Sequence, residues 1–283
     1  MPESTVSTGR DQLLSVFPEL HEYGTPALLL HPHLGNPGPQ DSSVGGPLLW
    51  PTDEPWPTCE FLHYDFDAPR GAEETHFDAP VALQPVLQLF ARDLPDEHAL
   101  PGGAELLQVL WCPNRHPQPL DAFGHGYTPW LTIRSRHDTA NLRPLREQPL
   151  AHTAAQEYTL PPCLLALEEI TDYPSDAFLP EELAVRIEEW EEDVPQTGHV
   201  VPKPSYFYDL AHRRGMKLGG YHRWSLTDPV PIECECGTPM EHLFQIDSME
   251  PGGLERLVIS RGYSLGLHYC PASPEHPHRT VMQ

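Results

Sequence analysis

Four landmarks that occur twice, in the same order, are the strongest constraint on what this chain can fold into. Gly45–Gly46 is followed by Cys59 and Gly219–Gly220 by Cys234, and the interval from Gly46 to Cys59 is a single position shorter than that from Gly220 to Cys234. Leu87-Gln88-Leu89 is answered by Phe244-Gln245-Ile246. Cys112-Pro113 then follows Gln88 as Cys270-Pro271 follows Gln245, again with intervals that differ by a single position. Two intervals matched this closely predict an internal duplication. The denser copy is Lys217–Gln245, which packs a Gly-Gly turn, an aromatic pair and a Cys-x-Cys-Gly knuckle into one short stretch. The first copy is longer, because Gly46 stands much farther from Gln88 than Gly220 does from Gln245. The acidic, turn-rich residues 60–80 are therefore expected to be a surface insertion.

The chain holds 35 prolines among 283 residues. Proline lacks the N–H and clashes with the preceding turn, so such a load limits helix and favours short strands joined by rigid turns. Paired glycines permit positive φ or close backbone approach. The steps Trp50-Pro51 and Trp56-Pro57 hold extended backbone, with both indoles expected to pack over the strand that leaves the Gly-Gly turn. Pro85–Ala91, Glu105–Cys112 and residues 130–134 read as strands. Residues 10–23 predict a short helix ending before Pro18, with Leu13, Leu14 and Phe17 on one face. Pro180–Asp193 predicts a second helix, in which Leu183, Ile187 and Trp190 recur at i, i+4 and i+7 among six glutamates. Asp209–Gly215 suggests a single helical turn, and Val194–Pro204 a loop. The fold class is thus α+β, mainly antiparallel sheet in two duplicated halves with few helices. The expected division is a first half at 1–140, a mixed helical connecting segment at 141–204 and a second half at 205–283.

The formal charge is −24, from 17 basic and 41 acidic residues, and the longest basic run is Arg213–Arg214. A nucleic-acid binder needs a basic footprint to displace counterions, so no such partner is expected. The charge serves solubility, or else forms an acidic face for a basic protein partner. The opening residues, MPESTVSTGRDQLLSV, carry no apolar core of signal-peptide length. No stretch approaches the roughly 20 apolar residues of a membrane span. A cytoplasmic location is expected, where six cysteines serve the core or a metal rather than disulfides.

Several stretches resemble the YwqG-like bacterial family, a domain of unknown function. They are SSVGGPLLWP, PVLQLFARDLP, LPGGAELLQVLWCP, MKLGGYHRW and CECGTPMEHLFQI, and the likeness runs over roughly residues 44–270. The resemblance implies an α+β fold built mainly of antiparallel sheet and brings no catalytic residues with it. The insertion and the middle segment depart from the pattern.

One constellation could carry chemistry. Cys234 and Cys236 lie one residue apart on one strand face, and Gly237 lets the backbone curl so that both thiolates meet one ion. With Cys270 and either His276 or His278 they make a Cys₃His set, an ordinary structural zinc site. The duplication places Cys59, Cys112 and His116 opposite Cys234, Cys270 and His276. That set offers at most three ligands, which is either an open catalytic site or one that has lost its metal. Gln88 and Gln245, each inside an apolar strand, are candidates to line a ligand cleft; the plainer alternative is that each ties adjacent backbone together. No dinucleotide fingerprint or Walker loop is present, and no catalytic nucleophile is expected. The reading that results is a cytoplasmic binding or interaction protein, more a non-enzyme than an enzyme, with a structural zinc site. The alternative is a metal-dependent hydrolase with its site between the two halves.

Overall fold

In the computed structural model, residues 4–64, 76–96, 98–117, 123, 129–140, 142–152, 154–193, 203–211, 213–248 and 257–283 are described. Most of the expected insertion (65–75) and of the expected loop at 194–204 lies outside them. The first helix, α1, spans Ser4–Val16 and stops before Pro18, where the chain tightens into a 3₁₀ turn. The strands follow as β1 (Thr25–Leu34), β2 (Ser43–Val44), β3 (Thr58–Cys59), β4 (His63–Tyr64), β5 (His76–Phe77), β6 (Val81–Ala82) and β7 (Gln84–Phe90). Next come β8 (Leu106–Trp111), β9 (Leu131–Arg136) and β10 (Cys163–Asp172), then α2 (Glu181–Glu192). The chain ends with β11 (Met216–Gly219), β12 (Glu241–Asp247), β13 (Ser264–Tyr269) and β14 (Arg279–Met282). A π-helical turn at Tyr206–Ala211 stands slightly before the expected turn at 209–215.

Ten strands form one antiparallel sheet in the order β14-β13-β12-β11-β1-β10-β2-β7-β8-β9. That order reads as two five-strand series meeting at the β1–β10 ladder, and the duplication can be followed residue by residue. Ser43 faces Gln88 as Lys217 faces Gln245, and Gln108 faces Gln88 as Gly266 faces Gln245. Both copies carry an irregularity at the same place, between Pro85 and Leu87 and between His242 and Phe244. The middle segment supplies more than the expected helix: its strand β10 sits beside β1 at the centre of the sheet.

Period-two alternation assembles the core. Leu28 and Leu30, Leu87 and Leu89, Leu107 and Val109, Phe244 and Ile246, and Leu265 and Leu267 all belong to one buried cluster. Helix α2 contributes Leu183 and Ile187 to a separate cluster with Leu13 and Phe17 of the α1 region. Trp50 is fully buried, with Trp56 at 5.1 Å between ring centroids.

The two glutamines point away from the main cluster and close the Gly-Gly turns. Leu49 N–H donates to Gln88 Oε1 at 2.6 Å, and Arg223 N–H donates to Gln245 Oε1 at 3.2 Å. Each donor is the third residue after its second glycine. Gln88 Nε2 donates to the carbonyls of Pro39 and Asp41, and Gln245 Nε2 donates to the Arg213 carbonyl and to Asp247 Oδ1. Both side chains are fully buried with both ends engaged by the chain itself, so they act as ties rather than as cleft-lining groups. Gln88→Leu orphans the Leu49 N–H and two carbonyls, and takes from the Gln108 amide one of its two acceptors. At roughly 1–3 kcal/mol per buried orphan, the expected loss is about 3 kcal/mol or more in urea unfolding. A loss below about 1 kcal/mol would show that water fills the gap.

Candidate metal centres

Among the described residues two Cys/His groups could hold a metal ion: Cys59, His63, Cys112 and His116, and Cys234, Cys236, Cys270 and His276. Within each group the ligand atoms all lie within 4.8 Å of one another. They occupy equivalent places in the two halves. Cys112 and Cys270 each follow the last residue of a core strand, β8 or β13, and the chain then turns back to deliver His116 or His276. In the second half a hydrogen-bonded turn, with Thr238 O accepting from Cys234 N–H, aims Cys234 and Cys236 at the same point. Gly237 takes φ +81 there, a conformation that favours glycine. In the first half Cys59 comes from β3 and His63 from β4.

The distances fit a tetrahedral ion. Zn–S near 2.3 Å and Zn–N near 2.0–2.1 Å set S···S edges of about 3.8 Å and S···N edges of about 3.5 Å. Cys236 Sγ lies 3.7 Å from Cys270 Sγ, while His276 Nδ1 lies 3.3 Å from Cys270 Sγ and 3.6 Å from Cys234 Sγ. In the first half Cys59 Sγ to His116 Nε2 and Cys112 Sγ to His63 Nε2 are both 3.3 Å. The two sites differ in access. All four members of the first are buried, whereas Cys236 is exposed and His276 half-buried. Cys112, hydrogen-bonding through its thiol, draws Cys59 down to about 3, while burial pushes Cys112 up. Thr238, through its hydroxyl and its backbone N–H, brings Cys236 down to about 6. Each site thus holds a thiol poised as the thiolate a metal needs.

One alternative narrows and one expectation changes. The fourth member of the second group is His276 of the two histidines considered; His278 instead hydrogen-bonds through Nε2 to the Leu131 carbonyl at 2.9 Å. The first group has four members, not three at most, because the backbone returns His63 to the Cys112 side. Sequence reasoning leaves His63 among scattered histidines at the edge of an insertion. The signal that could have found it is spacing: Cys59-x₃-His63 repeats Cys112-x₃-His116.

Sequence reasoning also passes over one Gly-x-Ser-x-Gly run, Gly262–Gly266. Its serine does not form a nucleophile elbow. Ser264 opens β13 rather than a strand-to-helix turn, is fully buried, and donates its hydroxyl to the Gln283 carbonyl at 3.0 Å.

A third cluster escapes sequence reasoning altogether. His222, His242 and His268 stand close together, with ring centroids 5.6 Å apart for His222–His242, 5.1 Å for His222–His268 and 5.4 Å for His242–His268. They border a cavity of about 570 Å³. Burial, the His268 ring and Lys217 hold His242 well below the ordinary imidazole range, and burial takes His268 down to about 4. Histidines that stay neutral when folded but protonate when unfolded make stability fall as pH falls. For His268 the window runs from its unfolded value near 6.5 down to about 4, and its full effect is about 3 kcal/mol at 1.36 kcal/mol per unit. Unfolding free energy measured from pH 8 to 4.5 should therefore drop below pH 6.5. His268→Leu should flatten that slope by close to one proton, and an unchanged slope would contradict the assignment.

No family model matches the chain, and no curated protein does. Among the described residues no helix is long and apolar enough to cross a membrane.

Proposed function

We propose that this chain is a binding protein of the YwqG-like type, a β-scaffold whose halves are each clamped by one structural zinc ion. The observation that carries this reading is the equivalent placement of two four-donor Cys/His sets. Four protein ligands leave no position for water or substrate, the mark of a structural rather than a catalytic site. The hydrolase alternative puts its site between the two halves or at the Cys59, Cys112 and His116 set, and His63 as a fourth donor takes the open position from the second of these. The six cysteines, all free, accord with a reducing cytoplasm.

The partner on this reading is a basic protein. Its support is the −24 charge together with the exposed Glu181, Glu182, Glu188 and Glu189 of α2. Such an encounter is steered by charge and weakens steeply with salt.

Elemental analysis of the purified chain tests the zinc reading. At least two zinc equivalents are expected, with Cys59→Ser and Cys236→Ser each removing one and leaving the rest. One equivalent or none in the wild type, or zinc content that neither substitution lowers, would overturn it. Capture of a basic partner that does not weaken between low and physiological salt would argue against the acidic docking face.

A further inference from the structure

Three imidazoles stand where the first half has Leu48, Pro85 and Leu110. His222 is the second residue after Gly220, as Leu48 is after Gly46. The pair His242–His268 across β12 and β13 matches Pro85–Leu110 across β7 and β8. In the first half Leu48 and Leu110 fill a buried apolar cluster. Exchanging apolar side chains for imidazoles gives the fold nothing in itself, because buried ring nitrogens cost free energy unless they find partners. A fourth exchange makes the room. Gly266 stands where the first half has Gln108, and a Cβ at Gly266 would overlap the His222 ring.

The nitrogens themselves ask for an acceptor of electron pairs. His242 donates from Nδ1 to the Gly219 carbonyl at 3.0 Å, which leaves the lone pair on Nε2. That Nε2 and His268 Nδ1 are both buried and have no hydrogen-bond partner among the described residues. A histidine whose other ring N–H is held by a backbone carbonyl is the usual arrangement of a metal ligand. The spacing agrees. A nitrogen 2.0–2.1 Å from an ion puts its ring centre about 3.2 Å away, so three rings at tetrahedral angles lie about 5.2 Å apart. The observed centroid separations run from 5.1 to 5.6 Å. Unlike the two cysteine-bearing groups, the triad does not bring one nitrogen from each ring within 4.8 Å of the others. Capture of an ion therefore needs the His222 and His268 rings to turn about χ2, a soft torsion, with their centres already in place, while His242 keeps its hydrogen bond to Gly219.

We infer that His222, His242 and His268 form a third metal site, which takes a divalent first-row transition ion on three imidazoles and keeps a fourth position open to the cavity. Three protein ligands and an open position are the pattern of a catalytic rather than a structural centre. All-imidazole coordination suits zinc, copper, iron or nickel over calcium or magnesium. The open position faces a cavity bordered by Tyr221, Trp224 and Glu241, which is large enough for a small organic ligand. This inference does not depend on zinc at the cysteine sites.

Cobalt(II) titration of the full chain, followed by desalting, separates the sites. The two cysteine sites report through thiolate-to-cobalt charge transfer, and the histidine site binds without it. Three equivalents are expected, the third silent in the charge-transfer region. His222→Leu and His268→Leu, which copy Leu48 and Leu110, should each lose that third equivalent and keep the other two. A wild type that stops at the equivalents accounted for by charge transfer, or a third equivalent that survives both substitutions, would overturn the inference. Should either variant fail to fold, imidazole NMR of the wild type decides. Zinc must shift the rings of His222, His242 and His268 as well as those of His63, His116 and His276, and unmoved triad resonances would refute the site. Failure of the cysteine sites would appear separately, as absent charge transfer.

Discussion

Substitution of Lys217 by methionine is expected to cost the protein about 3–5 kcal/mol, because it strands a buried carboxylate. Lys217 Nζ lies 2.6 Å from Asp172 Oδ2, with side-chain exposures of 1% and 0%. Nζ also donates to the Tyr221 carbonyl at 2.7 Å, and Asp172 Oδ2 accepts the Tyr221 N–H at 2.8 Å. Removing the ammonium leaves a buried charge with no other cation in ion-pair contact among the described residues. Gly220 tightens the enclosure, since its φ is +67 and a Cβ there would overlap Asp172 Oδ2. Desolvation rather than attraction sets the sign of the matter: two buried charges break roughly even as a pair, and one alone does not. The double variant Lys217→Met/Asp172→Leu should therefore recover most of the loss. Urea unfolding of the two single variants and the double one measures this as a coupling energy. A Lys217→Met protein within about 1 kcal/mol of wild type would show that the carboxylate finds solvent or protonates at little cost.

The second large effect belongs to the fully buried cysteine site. Cys112→Ser should abolish zinc there and destabilise the first half far more than Cys236→Ser destabilises the second. Structural zinc in isolated small domains is worth roughly 10–16 kcal/mol of apparent binding energy. A chain with a core of this size depends on it less, but the first site bridges β3, β4 and the end of β8, and β3 and β4 are only two residues long. Such strands cannot hold themselves in place. Without the ion, four buried donors would lose their common partner. Melting with and without chelator should show a large shift for the wild type and almost none for Cys112→Ser. Chelator should strip the second site first, since Cys236 is exposed. Simultaneous loss of both ions, or a melting temperature unaffected by Cys112→Ser, would contradict this.

What can be read from the residues alone divides by range. The duplication is legible because glycines at Gly45, Gly46, Gly219 and Gly220 are required by positive φ at each, and because Gln88 and Gln245 keep matched intervals to the cysteines that follow them. The second candidate group is legible because its four donors come from two short turns. His63 is hidden by its place beside a long acidic stretch, although its spacing to Cys59 carries the signal. The histidine triad has no local spacing at all. Long stretches of chain separate His222 from His242 and His242 from His268, and only the register that pairs the last two makes them neighbours. Strand β10 is obscured because Glu168, Glu169 and Asp172 dilute its alternation, and one of its faces is largely open.

The order of the ladder has a consequence for how this molecule can be divided. The strand β1, drawn from the N-terminal portion, completes the sheet of the C-terminal half by pairing with β11. The strand β10, drawn from the middle, completes the sheet of the N-terminal half by pairing with β2. The C-terminal half is therefore closed by a strand from the opposite end of the chain, with every strand of the N-terminal half lying between the two in sequence. Scission between α2 and β11 would leave the first series complete, with β1 still on β10, and release a C-terminal piece with a bare β11 edge that sticks to whatever strand it meets.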